Sequence, residues 1–321
     1  MRRATCVAGV NIALVKYWGK RDVAQNLPAV GSISLTIDAL HTVTTVTFED
    51  GLRDDLFTLD GVESKDDRVI TVLDTIRNLT GVIHKARVES ENHVPTASGL
   101  ASSASGTAAL ASAAWCAAGG VMEDALTLSS FTDCVRCGSG SAPRSLLGGL
   151  VELDRDSGRV HQLVDHDTWP LAMVVVQIGS GRKATSSRAG MQHTADTSPY
   201  YAPWVAAHPR DLVEARAAIE GRDLARLGAV MERSTMRMHA CMLAADPPLR
   251  YLRGATLDAM AAVESLRADG VGAWYTMDAG PHVKVLCAPA EAATIAARLE
   301  DEGRTIRVAH GGPGARKIDP C

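Results

Sequence analysis

The chain has 321 residues, of which 46% are apolar and 22% are charged, and its formal net charge is only −4. This balance gives no reason to expect a nucleic acid or a membrane surface as partner. The length predicts about two domains of roughly 150 residues each, with room for a sizeable core.

The sequence shows no targeting or membrane-spanning segment. No apolar run reaches the roughly 18 residues that a membrane helix needs, and residues 1–6 lack the apolar core of a signal peptide. Seven scattered cysteines, an odd number, favour reduced thiols over a disulfide framework. A zinc site that joins Cys134 and Cys137 to His239 and Cys241 is an alternative, although nothing in the sequence brings these segments together. We expect a cytoplasmic protein.

The first quarter of the chain predicts a mixed α/β layer. Residues 4–15 predict a strand, and alternating apolar residues over 32–49 predict two antiparallel strands. Helical spacing over 65–79 and a strand at 87–91 follow. The first strand ends at a basic and aromatic cluster, Lys16, Tyr17, Trp18, Lys20 and Arg21. Cations at a strand end suit an anionic ligand, although lysines more often lie on a solvated surface.

Residues 94–106 have the composition of a phosphate-binding loop. Pro95 and Gly99 bend the chain, and small side chains let a ligand approach the backbone. Ser102 and Ser103 stand where an alanine-rich helix begins, so free amides and the positive helix end attract an anion there. The stretch has no GxxxxGK[ST] motif and is therefore not the loop of P-loop enzymes. A Ser/Ala-rich cap on a buried helix is the alternative.

A second Gly/Ser loop, at 138–141, lies between a predicted helix over 123–135 and a predicted strand over 148–153. Arg144 follows two hydroxyls of this loop. A guanidinium fork binds a carboxylate or phosphate with two hydrogen bonds, so this arrangement favours an anion clamp. A flexible turn is the alternative.

A polar segment at 165–170 ends in Trp-Pro, precedes a strongly apolar strand and is the predicted domain boundary. The elements predicted after it are a strand at 171–178, helices at 183–191, 200–219, 222–243 and 256–268, strands at 272–277 and 282–287, a helix at 289–302 and a strand at 305–309. This order predicts an α+β fold with two domains, residues 1–168 and 169–321. Asp278 falls on a tight turn between two of these strands, where an aspartate is usually structural.

Four motifs, in order along the chain, resemble known enzymes. Pro-x-x-x-Gly-Leu-x-Ser-Ser-Ala at 95–104 resembles the central motif of the superfamily of galactokinase, homoserine kinase, mevalonate kinase and phosphomevalonate kinase. Within that superfamily, segments 11–22, 138–145 and 277–286 resemble the diphosphomevalonate decarboxylases. The resemblance runs nearly from end to end.

The resemblance implies a two-domain small-molecule kinase-like fold. The N-terminal domain would be like domain 2 of ribosomal protein S5 and would bind ATP, and the C-terminal domain would be a ferredoxin-like sandwich. The active site would lie in the cleft between them. The implied enzyme is a carboxy-lyase that uses ATP and Mg²⁺ to convert mevalonate 5-diphosphate into isopentenyl diphosphate. It would phosphorylate the C3 hydroxyl and then release phosphate and carbon dioxide. The implied assembly is a homodimer.

The resemblance also assigns site residues by position. The catalytic residues would be Asp278, Arg144, Lys16 and Asn11. The substrate-binding residues would be Tyr17, Lys20, Ser139, Ser141, Arg144, Ser187, Arg188 and Met191. The ATP-binding residues would be Pro95, Ser98, Gly99, Leu100, Ala101, Ser102, Ser103 and Ala104. Ser102 would also lie near the Mg²⁺ that the ATP phosphates hold.

Four of these residues carry the chemistry, in three roles. Asp278 would lie beside the C3 hydroxyl as its general base or orienter. Arg144 would hold the substrate carboxylate that leaves as carbon dioxide. Lys20 and Arg188 would face the diphosphate.

The sequence departs from the family pattern at five positions. His282 stands where asparagine is usual, Cys137 where a basic residue is common, and Pro143 where a small residue or cysteine is usual; Val30 and Gly31 replace more polar residues. These departures leave three alternatives open. The chain could be a paralogue acting on mevalonate 5-phosphate or another 3-hydroxy acid, a 3-kinase that does not decarboxylate, or a catalytically silent binding module.

Overall fold

The computed structural model describes residues 2–93, 102–179, 185–300 and 304–318. Its first half contains, in chain order, β1 (Arg2–Val15), β2 (Lys20–Asp22), β3 (Leu27–Pro28), β4 (Ser32–Glu49), β5 (Leu56–Leu59), β6 (Val62–Glu63), α1 (Asp67–Thr80), β7 (Lys85–His93), α2 (Ser102–Ala117), α3 (Met122–Thr127), α4 (Ser129–Gly138), a 3-10 helix (Ala142–Leu146), β8 (Leu150–Leu153) and β9 (Val160–Val164).

The second half contains β10 (Ala172–Gln177), α5 (Ser187–Thr197), α6 (Tyr201–Glu220), α7 (Leu224–Leu243), α8 (Gly254–Ala268), β11 (Ala273–Thr276), β12 (Val283–Cys287), a 3-10 turn (Pro289–Glu291), α9 (Ala292–Glu300), β13 (Thr305–His310) and β14 (Arg316–Lys317). An eight-stranded sheet and a four-stranded sheet organise these elements. The predicted two-domain α+β class is confirmed.

Two long antiparallel strands, β1 and β4, form the spine of the larger sheet. The first half of β1, including Ala4 and Cys6, packs into one apolar core with α1, α2 and α4. Its second half, including Ile12 and Leu14, joins another core with β10, α6 and α7. A strand buried on both faces reads as a continuous apolar run, which is the pattern of residues 4–15. The carboxyl end of β1 therefore lies where the two sheets meet.

The prediction of two strands within 32–49 is wrong, because β4 is one strand of 18 residues. The pairing register with β1 shifts between Gly9 and Asn11, so residues 37–40 bulge, while hydrogen bonding continues on both sides. Gly9 permits this close approach, since an added Cβ would lie 2.5 Å from the carbonyl oxygen of Ile37. The bulge exposes Asp38 and interrupts the apolar alternation that the prediction followed.

The single helix predicted at 123–135 is also wrong. Leu128 has extended backbone angles, φ −85° and ψ 119°, and separates α3 from α4. Ser129 and Ser130 then begin the second helix. Hydroxyl side chains compete with the helical backbone and favour helix starts, so the serine pair marks the break that the apolar spacing conceals.

The C-terminal segment returns to the larger sheet after β13. Gly311 pairs with Ile37, the amide of Gly312 donates to the carbonyl of Thr36 at 2.9 Å, and β14 pairs with β1. Residues 311–318 thus belong structurally to the sheet formed by the first half of the chain. None of the described helices is long and apolar enough to cross a membrane.

Candidate active site

A cavity of about 490 Å³ opens where the carboxyl end of β1, the 3-10 helix, the start of α5 and the β11–β12 turn meet. Most residues predicted from the motifs border it: Asn11, Tyr17, Lys20, Ser103, Ser139, Ser141, Arg144, Ser187, Arg188, Met191 and Asp278. These residues come from five separate stretches of the chain. The fold therefore brings the distant motifs to one site.

The predicted ATP-binding stretch is only partly described. Five of its residues lie outside the described ranges: Pro95, Ser98, Gly99, Leu100 and Ala101. Ser102 begins α2, as predicted for the start of the helix, and Ser103 borders the cavity. Ala104 is buried in the core beneath α2 and borders no part of the cavity.

Asp278 lies on the turn between β11 and β12, and each of its carboxylate oxygens accepts a hydrogen bond from a different lysine. Lys16 Nζ is 2.7 Å from Oδ1, and Lys284 Nζ is 2.9 Å from Oδ2. The side chains of both lysines are almost fully buried, whereas that of Asp278 is 26% exposed and faces the cavity. The turn is tightened by the amide of Gly280, which donates to the carbonyl of Asp278 at 2.7 Å.

The two lysines keep Asp278 ionised. Burial alone would raise the pKa of this carboxyl, but the charges and hydrogen bonds of Lys16 and Lys284 outweigh burial and hold the pKa well below its usual range. Burial lowers the pKa of Lys16 to about 8, against the opposing charge of Asp278. At neutral pH the carboxylate is therefore a hydrogen-bond acceptor and a weak base.

Arg144 is held rigidly in the cavity wall. Its Nε donates to Asn11 Oδ1 at 3.0 Å and its Nη1 to Ser32 Oγ at 2.6 Å. Asn11 is itself fixed, because its Nδ2 donates to Ser145 Oγ at 2.7 Å. Burial lowers the pKa of Arg144 to about 10, so the guanidinium is charged at neutral pH. A fixed, planar cation of this kind is suited to binding a carboxylate.

The Gly/Ser loop packs tightly against Tyr17. A Cβ added at Gly140 would lie 2.2 Å from the Tyr17 hydroxyl, so a larger residue would displace the ring. That hydroxyl is buried and has no hydrogen-bond partner in the described part of the chain. Burial raises the pKa of Tyr17 to about 12, which keeps the hydroxyl a neutral donor at neutral pH.

Lys20 and Arg188 form a basic corner of the cavity. Arg188 lies in the first turn of α5, whose N-cap Ser186 accepts a hydrogen bond from the amide of Ala189 at 3.2 Å. Lys20 donates to the side-chain oxygen of Asn26. Burial, and then the charge of Arg188, lower the pKa of Lys20 to about 8. Two cations at a helix N-terminus make this corner attractive to a polyanion.

A smaller cavity, of about 160 Å³, adjoins the start of α2. Its walls are mostly apolar, with contributions from Phe57, Leu59, Val69, Val88 and Leu110. Arg68 and Ser103 border both cavities and so mark the passage between them. Arg68 is anchored by Asp66, with Nε 2.9 Å from Oδ1. An apolar slot with polar groups at its mouth fits a planar base attached to phosphates.

Two residues of the site were not predicted from the sequence. Lys284 is a lone cation within the apolar strand β12, and such a break in a buried pattern indicates a charged partner. Arg68 carries no comparable signal, because a charged residue on the solvent-facing side of a helix's first turn is ordinary. Its position between the cavities follows only from the fold.

The five departures from the family pattern lie behind the cavity wall. None of them borders either cavity. His282 is buried, and its Nδ1 accepts the amide hydrogen of Ile178 at 2.9 Å, while Val30 packs in the apolar cluster around Trp18. Gly31 lies against Leu212, and Pro143 starts the 3-10 helix that carries Arg144. The remaining departure is the half-buried Cys137.

Cys134 and Cys241 lie in different apolar clusters. No three of Cys134, Cys137, His239 and Cys241 come within metal-ligating distance of one another in the part of the chain that the structure describes, so the structure does not form the alternative zinc site. In the described ranges, the one cluster of three residues able to hold a metal is Asp165, His166 and Asp167, on the turn before β10.

Comparisons with known proteins agree over nearly the whole chain. Residues 8–163 match the diphosphomevalonate decarboxylase-like N-terminal domain, and residues 172–305 match the mevalonate 5-diphosphate decarboxylase C-terminal domain. The chain is 35% identical over 308 residues to the diphosphomevalonate decarboxylase of Candida albicans, which covers 89% of this chain and 84% of that protein.

Solved structures give the same result. The mevalonate diphosphate decarboxylase from Staphylococcus aureus superposes with a TM-score of 0.90 at 37% identity, covering 99% of this chain and 98% of that one. A protein designated MDDEF, solved in complex with MVAPP, AMPPCP and magnesium, superposes with a TM-score of 0.89 at 38% identity. That alignment covers 99% of each chain.

Proposed function

Because the chain belongs to the diphosphomevalonate decarboxylase family, we propose that it converts mevalonate 5-diphosphate and ATP into isopentenyl diphosphate, ADP, phosphate and carbon dioxide. One observation carries the proposal. A single cavity contains the Asp278 carboxylate, the Arg144 guanidinium and the basic corner of Lys20 and Arg188. These groups match the hydroxyl, the carboxylate and the diphosphate of that substrate. As predicted from the sequence, we place the cavity between two domains, residues 1–168 and 169–321, with residues 311–318 of the second returning to pair with the sheet of the first.

Asp278 orients the C3 hydroxyl. Its carboxylate accepts a hydrogen bond from that hydroxyl and points the oxygen at the terminal phosphate of ATP. Because its two lysines hold the pKa of this carboxyl well below its usual range, Asp278 does not retain the proton that the hydroxyl loses, and the proton is released to solvent. Phosphoryl transfer passes through a loose transition state in which positioning and electrostatics contribute most of the catalysis, so a strong base is not required.

Arg144 holds the carboxylate that leaves. A tertiary alcohol becomes a good leaving group once it is phosphorylated, and departure of the phosphate draws positive charge onto C3. The bond between the carboxylate carbon and C2 then breaks, its electron pair forms the C2–C3 double bond, and carbon dioxide leaves. The hydrogen bonds that Arg144 donates to Asn11 and Ser32 keep its guanidinium in place during this step.

The basic corner and the neighbouring hydroxyls bind the rest of the substrate. Lys20 and Arg188 pair with the diphosphate, and the unpartnered hydroxyl of Tyr17 donates to it. Four further residues complete the wall around the substrate: Ser139, Ser141, Ser187 and Met191. Lys16, predicted as a catalytic residue, does not border the cavity and acts through its hydrogen bond to Asp278.

ATP spans the two cavities. Its base occupies the apolar slot, and its phosphates lie at the start of α2, near Ser102 and Ser103, with Arg68 alongside. The carboxylate of Asp278 is already paired with two lysines and is a poor metal ligand. The site therefore fits Mg²⁺ that is carried by the ATP phosphates and held near Ser102. When bound, Mg²⁺ supplies charge neutralisation for the phosphoryl group. MDDEF, the similar protein solved with AMPPCP and magnesium, supports this assignment.

We also propose a cytoplasmic homodimer. The location rests on the odd number of scattered cysteines, which favours reduced thiols, and the dimer rests on the family resemblance. Light scattering on the purified chain would give a mass of two chains, and a mass of one chain would contradict the dimer.

The substrate assignment is tested with Mg-ATP and mevalonate, its 5-phosphate or its 5-diphosphate. We expect kcat/KM for the diphosphate to exceed that for the monophosphate by roughly 10- to 10⁴-fold, the value of one or two charged hydrogen bonds. Lys20→Ala and Arg188→Ala should shrink this preference. If wild type uses the monophosphate equally well, or if both variants keep the full preference, mevalonate 5-phosphate is the better assignment for the substrate.

A further inference from the structure

We infer that Lys284 is a positioning residue for the proposed reaction: with Lys16, it clamps the two oxygens of Asp278 and sets the direction in which the carboxylate meets the substrate. This inference deepens the proposed function and rests on it. Lys284 touches neither cavity, so it acts through Asp278.

Lys284 lies in an unusual place for a lysine. Strand β12 is central in the smaller sheet, between β10 and β11, and all five of its residues are buried. Lys284 pairs with Val175 on one side and Thr276 on the other. An ammonium group here is strongly unfavourable unless it is paired. Its partner is Asp278 Oδ2, at 2.9 Å.

The clamp draws its two lysines from different sheets. Lys16 follows β1 of the larger sheet, and Lys284 belongs to β12 of the smaller one. Lys16 is anchored through its backbone, because its amide donates to Ser234 Oγ at 3.0 Å and its carbonyl accepts from His208 Nε2 at 2.9 Å. Because each oxygen accepts a hydrogen bond from a different lysine, the pair of hydrogen bonds restricts rotation of the carboxylate. Each oxygen keeps lone-pair capacity for a ligand in the cavity.

Charge argues for the same role. Lys16 alone would neutralise Asp278, so the second lysine gives the buried group a net positive charge. The other ionisable groups that face it are Arg144 from the 3-10 helix and His239 from α7. Burial lowers the pKa of His239 to about 4, so its ring is neutral at neutral pH. Buried ion pairs contribute little net stability compared with apolar residues of similar volume, so stability does not account for Lys284.

The test compares Lys284→Met with wild type and with Lys65→Met, which removes an exposed lysine as a control. Methionine keeps the length and apolar stem but loses the ammonium. We expect kcat for Lys284→Met to fall by roughly tenfold to a hundredfold, the cost of a misplaced reacting group. The KM values for ATP and substrate should change by less than about threefold, because the binding groups are intact.

A double-mutant cycle separates positioning from a general loss of structure. Asp278→Asn alone should lower kcat by at least about a hundredfold. Adding Lys284→Met to Asp278→Asn should change kcat little further, because the carboxylate that Lys284 positions is already gone. A normal kcat in folded Lys284→Met, or equal losses in both backgrounds, would overturn the inference. If Lys284→Met does not fold, Lys284→Gln undergoes the same cycle with the same criteria.

Failure of the inference can be told apart from failure of the proposed function. Wild type that releases ADP without carbon dioxide would contradict the decarboxylase assignment. The double-mutant cycle of Lys284→Met and Asp278→Asn could then still be measured by ADP release, because Asp278 acts in the phosphoryl-transfer step.

Discussion

Lys20 is a half-buried cation whose pKa is lowered by burial and by the charge of Arg188. A lysine whose pKa is lowered to about 8 is protonated below that pH and loses its charge as the pH rises through it. Lys16 has a pKa lowered to about the same value. The free enzyme therefore carries two lysines that lose their charge just above physiological pH.

This predicts the alkaline side of the pH profile. kcat/KM reports the free enzyme, so it should fall above about pH 8 with a slope that indicates two protons. Lys20→Arg keeps its charge at all accessible pH values and should leave a one-proton slope. The measurement is kcat/KM for mevalonate 5-diphosphate between about pH 6 and about pH 10, a range that brackets the lowered pKa of both lysines. Equal slopes in wild type and Lys20→Arg would show that deprotonation of Lys20 does not cause the loss of activity at alkaline pH.

Arg144 allows a second prediction at the residue scale. Arg144→Lys keeps the positive charge but loses the fork that contacts Asn11 and Ser32 and faces the substrate. Each charged hydrogen bond is worth roughly 1.5 to 3 kcal/mol, so kcat should fall by at least about tenfold. Thermal unfolding of the variant provides the control for folding. Full activity with lysine would contradict the bidentate clamp.

Single residues show where sequence reasoning succeeds and where it stops. Asp278 and Arg144 lie in motifs that a resemblance can transfer by position. Lys284 interrupts an apolar strand, so the sequence signals a buried charge but not its partner, which comes from a turn six residues earlier. Arg68 borders both cavities only because α1 and α2 lie side by side. Such proximity depends on packing that no local pattern encodes.

At the scale of elements, α2 joins the two cavities. Its glycine, Gly106, lies one turn after Ser102 and borders the smaller cavity, and a Cβ added there would have no heavy atom within 4 Å. Glycine in a helix interior costs stability, so its presence here indicates another role. The absent side chain leaves room in the smaller cavity, where we propose that the nucleotide binds.

We therefore predict opposite effects of two substitutions at this position. Gly106→Ala should stabilise the protein by about 0.4–1 kcal/mol, since alanine favours the helix and the space is open. Gly106→Leu should reach into the slot and raise the KM for ATP by roughly tenfold, equivalent to about 1.4 kcal/mol, with little change in the KM for the other substrate. Urea unfolding and ATP titrations measure these effects. An unchanged KM for ATP in folded Gly106→Leu would place the nucleotide elsewhere.

Most elements could be predicted from periodicity, and the errors have physical causes. β1 and the helices α6, α7 and α8 follow their apolar patterns closely. The sequence pattern divides β4 because the bulge at 37–40 interrupts its apolar alternation. The sequence predicts one helix in place of α3 and α4, because helical spacing of apolar residues continues across Leu128 although its backbone is extended. Very short strands give little signal: β2 and β3 pair only with each other in a small hairpin, and β14 forms through pairing with the distant β1.

At the scale of the whole molecule, the C-terminal segment ties the second half of the chain to the first. Gly314 passes over the 3-10 helix that carries Arg144, and an added Cβ would lie 2.3 Å from the carbonyl oxygen of Leu146. Ala315 is buried in the core beneath α2. The order of predicted elements could indicate the α+β class, but not this return, because the glycine-rich segment reads as an ordinary terminal turn.

The close approach predicts a specific sensitivity. Gly314→Ala should destabilise the protein by about 1–3 kcal/mol, because backbone atoms must move to admit the methyl group. Gly254→Ala is the matched control, since a Cβ at Gly254 meets nothing within 4 Å. Urea unfolding of both variants provides the comparison. Equal stability of the two would show that the segment does not pack as described.

The central claim is that one site both phosphorylates the C3 hydroxyl and releases the carboxylate. The most direct measurement follows ADP and carbon dioxide together in one reaction of wild-type protein with Mg-ATP and mevalonate 5-diphosphate. We predict equal amounts of both products throughout the time course, because Asp278 and Arg144 border the same cavity. Steady ADP release without carbon dioxide would contradict the account and identify a 3-kinase that does not decarboxylate.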